Sequence, residues 1–331
     1  MGRSIRTAAA AVWLALLLSV PAFGATPESL VPVGQTVGLE LNMDGVYIVG
    51  FSDEDGSPAQ AAGLQVGDRI RAVDGQVLDS AEGLRALVAE GSGEAVVLDV
   101  DRAGRAVQVA VRPTEQDGQL LLGLCVRDRI AGLGTVTFYD PETGLFGALG
   151  HGVSGGGSQP MAIRGGLATQ TCVSGIRRGA VGMPGSLLGP ASGGATLGQV
   201  EQNTERGLFG HAAGVGLCGT PIALAGQEEV TVGPAELWCS LEDGQTLRYA
   251  VEIEAVRLDA EQCRDLRIVV TDPRLLEKTG GIVQGMSGSP IVQNGKLVGA
   301  VTHVLVRDPT RGYGILIGHM LEAANQAAKA A

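Results

Sequence analysis

The sequence predicts a mainly β protein: a small α+β module followed by a larger β-barrel or sandwich. Three observations carry this. Glycine supplies 52 of 331 residues, about 16%, against a usual ~7%. Only 11 residues are aromatic, so the core must be built from Val, Leu, Ile and Ala. Short apolar runs alternate with turn signals, and no long amphipathic helix is expected before Ile317–Ala330. The glycines follow no three-residue period and Pro is only 14, which rules out a collagen-like chain.

The first module is expected over residues 31–113. "VGLELNMDGVYIVGF" reads as two strands with a turn at Met43-Asp44-Gly45. A short helix at 58–62, a strand Arg69–Val73 and a helix running to about Glu90 follow. Asp79 or Ser80 is placed to cap that second helix, with Glu82 completing a box with Asp79. Two strands then flank the turn Arg102-Ala103-Gly104, and 113–118 is a polar linker candidate. The second region, 119–331, holds the glycine-dense stretch: 20 of the 52 lie in 150–219. Its strands are "GTVTFYD", "TCVSGI", "AVEIEAVRL", "LRIVVTD" and "GAVTHVLV", and "MAIRGGLAT" reads as a hairpin.

Charge and leader restrict the function classes. Thirty-five acidic residues against 24 basic give a net charge of −11, which lacks the basic footprint of a nucleic-acid binder. Arg3 and Arg6, the apolar run Thr7–Val20 and the small residues around Gly24 read as an export signal over 1–24, or as a membrane anchor. Either places the remainder outside the cytoplasm. Cys125, Cys172, Cys218, Cys239 and Cys263 are widely spaced with no C-x-x-C pair, and four scattered histidines form no ligand cluster, so no metal or organic cofactor is expected.

The sharpest motif is Gly285-Met286-Ser287-Gly288-Ser289-Pro290. Glycines permit a tight loop whose N–H groups converge, so the backbone N–H groups of Gly285 and Ser287 can stabilise an oxyanion while the Ser287 hydroxyl attacks a carbonyl. A serine nucleophile needs a base. His151, between Gly150 and Gly152, is the first candidate, because glycine neighbours offer nothing for a core histidine to pack on. His303 in "AVTHVLV" is second; His211 and His319 read as surface residues. A Ser–Lys pair using Lys278 or Lys296 is a third arrangement.

Two resemblances then attach to these motifs. "SPAQAAGLQVGDRIRAVDGQVLDS" resembles the most typical stretch of PDZ domains, in the permuted form of bacterial proteases. It implies a peptide-binding groove between the strand Val37–Leu41 and the helix 81–90, with Gly38 allowing close approach and Val37, Leu39 and Leu41 lining the site. "VRDRIAGLGTVTFYDPETGLFGALGHGVSG", "LGQVEQNTERGLFG" and "TDPRLLEKTGGIVQGMSGSPIVQNGKLVGAVTHVLVRDPTRGYGI" resemble the SpoIVB peptidases, serine proteases of endospore formers grouped with chymotrypsin-like enzymes. That resemblance implies a chymotrypsin-like β-barrel peptidase over 119–331, with Ser287 as nucleophile, His151 as base and Asp272, fifteen residues before the serine, as the acid. Asp140, Asp243, Asp259 and Asp265 compete for the third role. It also implies release into the space between the forespore membranes, self-cleavage, and cleavage of a membrane-bound regulator. The partners are then a protein substrate and a PDZ ligand, which could be the chain itself. A non-catalytic PDZ adaptor is the alternative reading.

Overall fold

The computed structural model describes residues 27–52, 56–155, 159–214, 216–242, 244–258 and 263–330. The leader expected over 1–24 lies outside them.

The first long strand, β1 (Thr36–Phe51), does two jobs. Its first half is buried almost throughout, and its partners are far away in sequence. Gly45 (φ +97°) bends it before the second half begins. From there the small module follows: helix α1 (Pro58–Ala61), strand β2 (Arg69–Val73), helix α2 (Ala81–Ala89), and strands β3 (Val96–Arg102) and β4 (Arg105–Val111). Val46 and Tyr47 of β1 pair with Ile70 and Arg69 of β2, and β3 and β4 extend that sheet. Ser80, not Asp79, caps α2, accepting from Gly83 N at 3.0 Å. Asp79 instead pairs with Arg164. Leu84 and Val88, four apart on one helix face, close the module's core over Ile48, Ile70 and Leu98. The polar stretch 113–118 is not an open linker but the first half of a small hairpin, Thr114–Gln116 with Gln119–Leu121.

The chain then returns to its start. Strand β5 (Leu124–Tyr139) runs antiparallel to β1 along its length, Phe51 facing Leu124 and Thr36 facing Thr135. Strands β6 (Leu145–Ala148), β7 (Ile163–Gln170), β8 (Thr196–Thr204) and β9 (Gly207–Ala212) complete the set. The order β1–β5–β6–β9–β8–β7, with β7 pairing back onto β1, closes a six-stranded ring. Leu41, Val136, Phe146, Ala148 and Leu208 fill it. "MAIRGGLAT" is therefore not a hairpin. Gly165 and Gly166 lie within β7, whose register shifts between Ile163 and Gly165.

A second closed barrel follows, formed by β10 (Gly233–Ser240), β11 (Thr246–Val256), β12 (Leu266–Val270), β13 (Pro290–Gln293), β14 (Lys296–Leu305) and β15 (Asp308–Leu316). Helix α3 (Pro273–Thr279) lies between β12 and β13. Leu237, Ile253, Leu266, Ile268, Ile291 and Val301 form its interior. Each such side chain contributes ~1.5–3 kcal/mol by burial. Helix α4 (Ile317–Ala330) lays Met320, Leu321 and Ala324 over Phe138, Phe209 and Leu297, bridging the two barrels.

The expected division at residue 113 differs from this chain path. The sequence places residues 36–43 in the small module, but they pair with β5 and β7 and complete the first barrel. The module hangs between β1 and β5, the two strands it shares with that barrel.

Within the module, the carboxylate of Asp68 is 2% exposed and accepts from Gln65 N and from two nitrogens of Arg102. Asp68→Ala leaves the Arg102 charge and one N–H without their partner. The expected cost is about 1–3 kcal/mol, read as a lower urea midpoint.

Candidate active site

The loop 285–289 is locked from both barrels. Met286 N donates to Val283 O and Ser289 N to Met286 O, which closes the turn. Gly288 N reaches Val301 O at 2.8 Å. From the first barrel, Thr135 N donates to Ser287 O at 2.9 Å, and Thr135 Oγ1 donates to Gly285 O at 2.8 Å. Gly288 has φ +94°, and a Cβ there would lie 2.0 Å from Thr135 O. No other residue fits this approach. Among the described residues no acceptor takes the N–H of Gly285 or of Ser287. These are the two donors anticipated for an oxyanion. The Ser287 hydroxyl donates to Thr302 O at 2.9 Å.

His151 comes from the opposite wall. It follows β6 after Leu149 and Gly150, both at φ +68°. A positive φ at leucine is a strained backbone state, held here by Leu149 N donating to Thr135 O at 3.2 Å. Thr135 thus contacts both the Ser287 loop and the turn that carries His151. His151 Nδ1 lies 3.0 Å from Gly152 O. A carbonyl only accepts, so Nδ1 carries the proton and Nε2 keeps its lone pair.

Ser287, His151 and His303 line one cleft of about 400 Å³ between the barrels. The His151 and His303 rings pack with centroids 4.9 Å apart, tilted by 34°. Apolar walls come from Leu39 and Leu41 on one side and Ile282 and Val304 on the other. Burial pushes both imidazoles below their ordinary value. For His151 the Gly152 carbonyl only partly offsets it, and for His303, which falls to about 4, His151 and Arg264 add unfavourable charge. His303 Nδ1 is buried with no hydrogen-bond partner.

No carboxylate lines this cleft among the described residues. Asp272 is elsewhere. It is the N-cap of α3, accepting from Arg274 N, from two nitrogens of the Arg274 guanidinium and from Ala250 N. Arg274 holds its carboxyl down to about 2. The expected Asp272–His151 contact is therefore not formed, because both oxygens are already taken by a helix start. Asp140 closes a turn onto Glu142 N and Thr143 Oγ1. Asp265 is buried against Leu316 N and His319 Nδ1. Asp243 and Asp259 lie outside the described residues. His211 pairs with Glu201 on the surface. Lys278 and Lys296 pair with Glu242 and Glu229, away from Ser287. The missed neighbour was His303 as a companion of His151 rather than its rival. Its place on an apolar strand hid the fact that this strand forms the cleft wall.

The groove expected at Val37–Leu41 also needs correction. Val37, Gly38, Leu39 and Leu41 face β5 on one edge and β7 on the other, so neither edge can accept a peptide strand. Leu39 and Leu41 instead line the cleft that holds Ser287 and His151. The strand beside α2 is β5, whose Asp128 accepts from Ala81 N at 2.8 Å.

The cysteines are free thiols, Cys239 and Cys263 buried and the others exposed. No group of three metal-ligating side chains exists among the described residues. No helix among them is long and apolar enough to cross a membrane.

The family model described as SpoIVB peptidase S55 matches residues 118–321, and a PDZ domain model matches 54–102. The zinc metalloprotease RasP of Shouchella clausii is 36% identical over 108 residues, covering 29% of this chain and 25% of that protein. The chain spans about a quarter of the length of the curated relatives it matches. Among solved structures, the PDZ domain of the SdrC-like protein Lmo2051 from Listeria monocytogenes is 26% identical (TM-score 0.22), covering 25% of this chain and 87% of that one. The protease Rv3671c of M. tuberculosis, inactive form, is 14% identical (TM-score 0.33), covering 60% and 84%.

Asp272→Ala is expected to cost about 1–2 kcal/mol through the lost helix cap. It should leave the rate of Ser287 modification by a fluorophosphonate within a few-fold of wild type. Denaturation and timed labelling measure the two effects separately.

Proposed function

The chain belongs to the SpoIVB peptidase S55 family, and we propose that it is an exported serine endopeptidase using Ser287 and His151. The observation that carries this is the shared cleft. A serine whose loop offers two unspent N–H donors faces a histidine whose Nε2 is free to take a proton.

In the proposed reaction, an extended substrate places its scissile carbonyl over Ser287. The hydroxyl leaves Thr302 O, attacks the carbonyl carbon, and passes its proton to His151 Nε2. The developing oxyanion is met by the N–H groups of Gly285 and Ser287. His151 then protonates the leaving amine, and water repeats the sequence on the acyl-enzyme. The Gly152 carbonyl keeps the His151 Nδ1 proton in place, the orienting task a carboxylate performs in other serine peptidases. The PDZ module binds a peptide segment of substrate or of the chain itself. Self-cleavage, action on a membrane-bound regulator and a role in sporulation signalling between the forespore membranes are part of the same proposal. They rest on the family resemblance.

Ser287→Ala should abolish cleavage of casein and of the chain itself, by at least a thousandfold, and should remove fluorophosphonate labelling. Equal cleavage by both proteins would favour the adaptor reading.

The pH profile follows from burial. The base works only as neutral imidazole, and desolvation lowers the His151 pKa. Neutral His151 therefore persists below the ordinary ~6.5. The acid limb of kcat/KM should lie below pH 6.5. A limb centred at or above 6.5 would contradict this.

A further inference from the structure

The open edge of β5 leads from the PDZ module to the nucleophile. Over residues 124–133, β5 pairs with β1 on one side only; its other edge has no strand partner among the described residues. Two observations show which backbone groups face that open side. Thr135 N donates to Ser287 O and Thr135 O accepts from Leu149 N, so Thr135 points away from β1. The register from Thr36–Thr135 to Asn42–Arg129 is unbroken, and strand backbone groups alternate sides. Leu133, Ala131 and Arg129 therefore point the same way as Thr135. Nearer the module, Ile48 bonds away from β5, to Asp68 O and Gly67 N. Tyr47 and its partner Arg127 then face one another and Val126 aims outward, so the outward set changes parity between Arg127 and Arg129, opposite the register shift from Asn42 to Tyr47.

This open edge is ~23 Å long from Val126 to Leu133, with one irregularity opposite the Asn42–Tyr47 shift. One end lies beside α2, where Asp128 caps Ala81 N. The other end enters the cleft, which Ile130, Gly132 and Leu133 line together with Ser287 and His151. An exposed edge of this length is otherwise a template for unwanted pairing. Arg127 and Arg129 are exposed on one face of it and have no ion-pair partner among the described residues. In a chain of net charge −11, two free cations on a bare strand edge mark a place for acidic side chains.

We propose that the β5 edge is a continuous docking rail for the substrate: an extended peptide adds to it as a strand, held at the PDZ end beside α2 and delivered at the other end to Ser287. Acidic side chains at alternate positions are favoured opposite Arg127 and Arg129. The PDZ module and the peptidase then read one peptide, which takes up the irregularity between Arg127 and Arg129, rather than binding separately. This rests on Ser287 being the nucleophile, so the test measures binding apart from catalysis.

Fluorescein-labelled (Glu-Val)4, (Glu-Val)2 and (Lys-Val)4 are titrated by anisotropy into the full chain carrying Ser287→Ala. The rail predicts that (Glu-Val)4 binds at least tenfold more tightly than either other peptide. Adding Ala131→Pro, which removes one outward N–H without touching the β1 ladder, should erase that advantage. Adding Arg127→Glu with Arg129→Glu should invert the charge preference, which keeps the test open if the proline variant misfolds by circular dichroism. Equal affinity for all three peptides would overturn the rail, as would a folded Ala131→Pro protein that keeps the advantage. Binding seen only after residues 1–26 are removed would assign the edge to the chain's own leader and overturn the substrate assignment. Fluorophosphonate labelling of the wild-type chain reports independently on Ser287. If labelling fails while the length preference stands, the catalytic reading falls and the rail does not.

Discussion

The site depends on the grip of Thr135 on the loop 285–288. Thr135 belongs to the first barrel and Ser287 to the second, and two hydrogen bonds of 2.9 and 2.8 Å join them. The same residue's carbonyl accepts Leu149 N from the turn that carries His151. One residue thus sets Ser287 and His151 in a common frame. Gly288 makes this possible, since any side chain there would meet Thr135 O at 2.0 Å. The positive φ values at Leu149, Gly150, Gly285 and Gly288 cluster around this contact. That pattern fits strain held by surrounding structure at a functional site.

The arrangement differs from a three-member relay ending in a carboxylate. The His151 imidazole, which lines one cleft with Ser287, has a carbonyl behind it and a second imidazole beside it, among apolar walls. Both rings are pushed toward the neutral form. An environment that penalises imidazolium favours a ready base over a stabilised cation. It makes the transfer of the proton onward to the leaving amine energetically downhill.

Much of this was legible in the sequence. Glycines on both sides of His151 and around Ser287 mark them as loop residues, and among the described residues the N–H groups of Gly285 and Ser287 have no acceptor. The short strands and the final helix also follow from local pattern. What was not legible is non-local. Nothing between Thr36 and Phe51 announces that its first half pairs with residues 163–170 and its second half with residue 70. Both halves alternate in the same way, so local pattern reads them as two strands of one module, where the structure has one bent strand shared with the barrel. Asp272 shows the opposite case. Asp followed by Pro is a helix-start signal, Asp capping and Pro at the first turn, and that local reading describes its structure. The family resemblance implied the other role, that of the triad acid.

Mass spectrometry of the chain after reaction with diisopropyl fluorophosphate tests the central claim most directly, run on the wild type and on His151→Ala. The account predicts one phosphoryl adduct on the peptide containing Ser287 in the wild type, and loss of that adduct in His151→Ala under the same exposure. Labelling of Ser287 at an equal rate in both proteins, or an adduct on another serine, would contradict it.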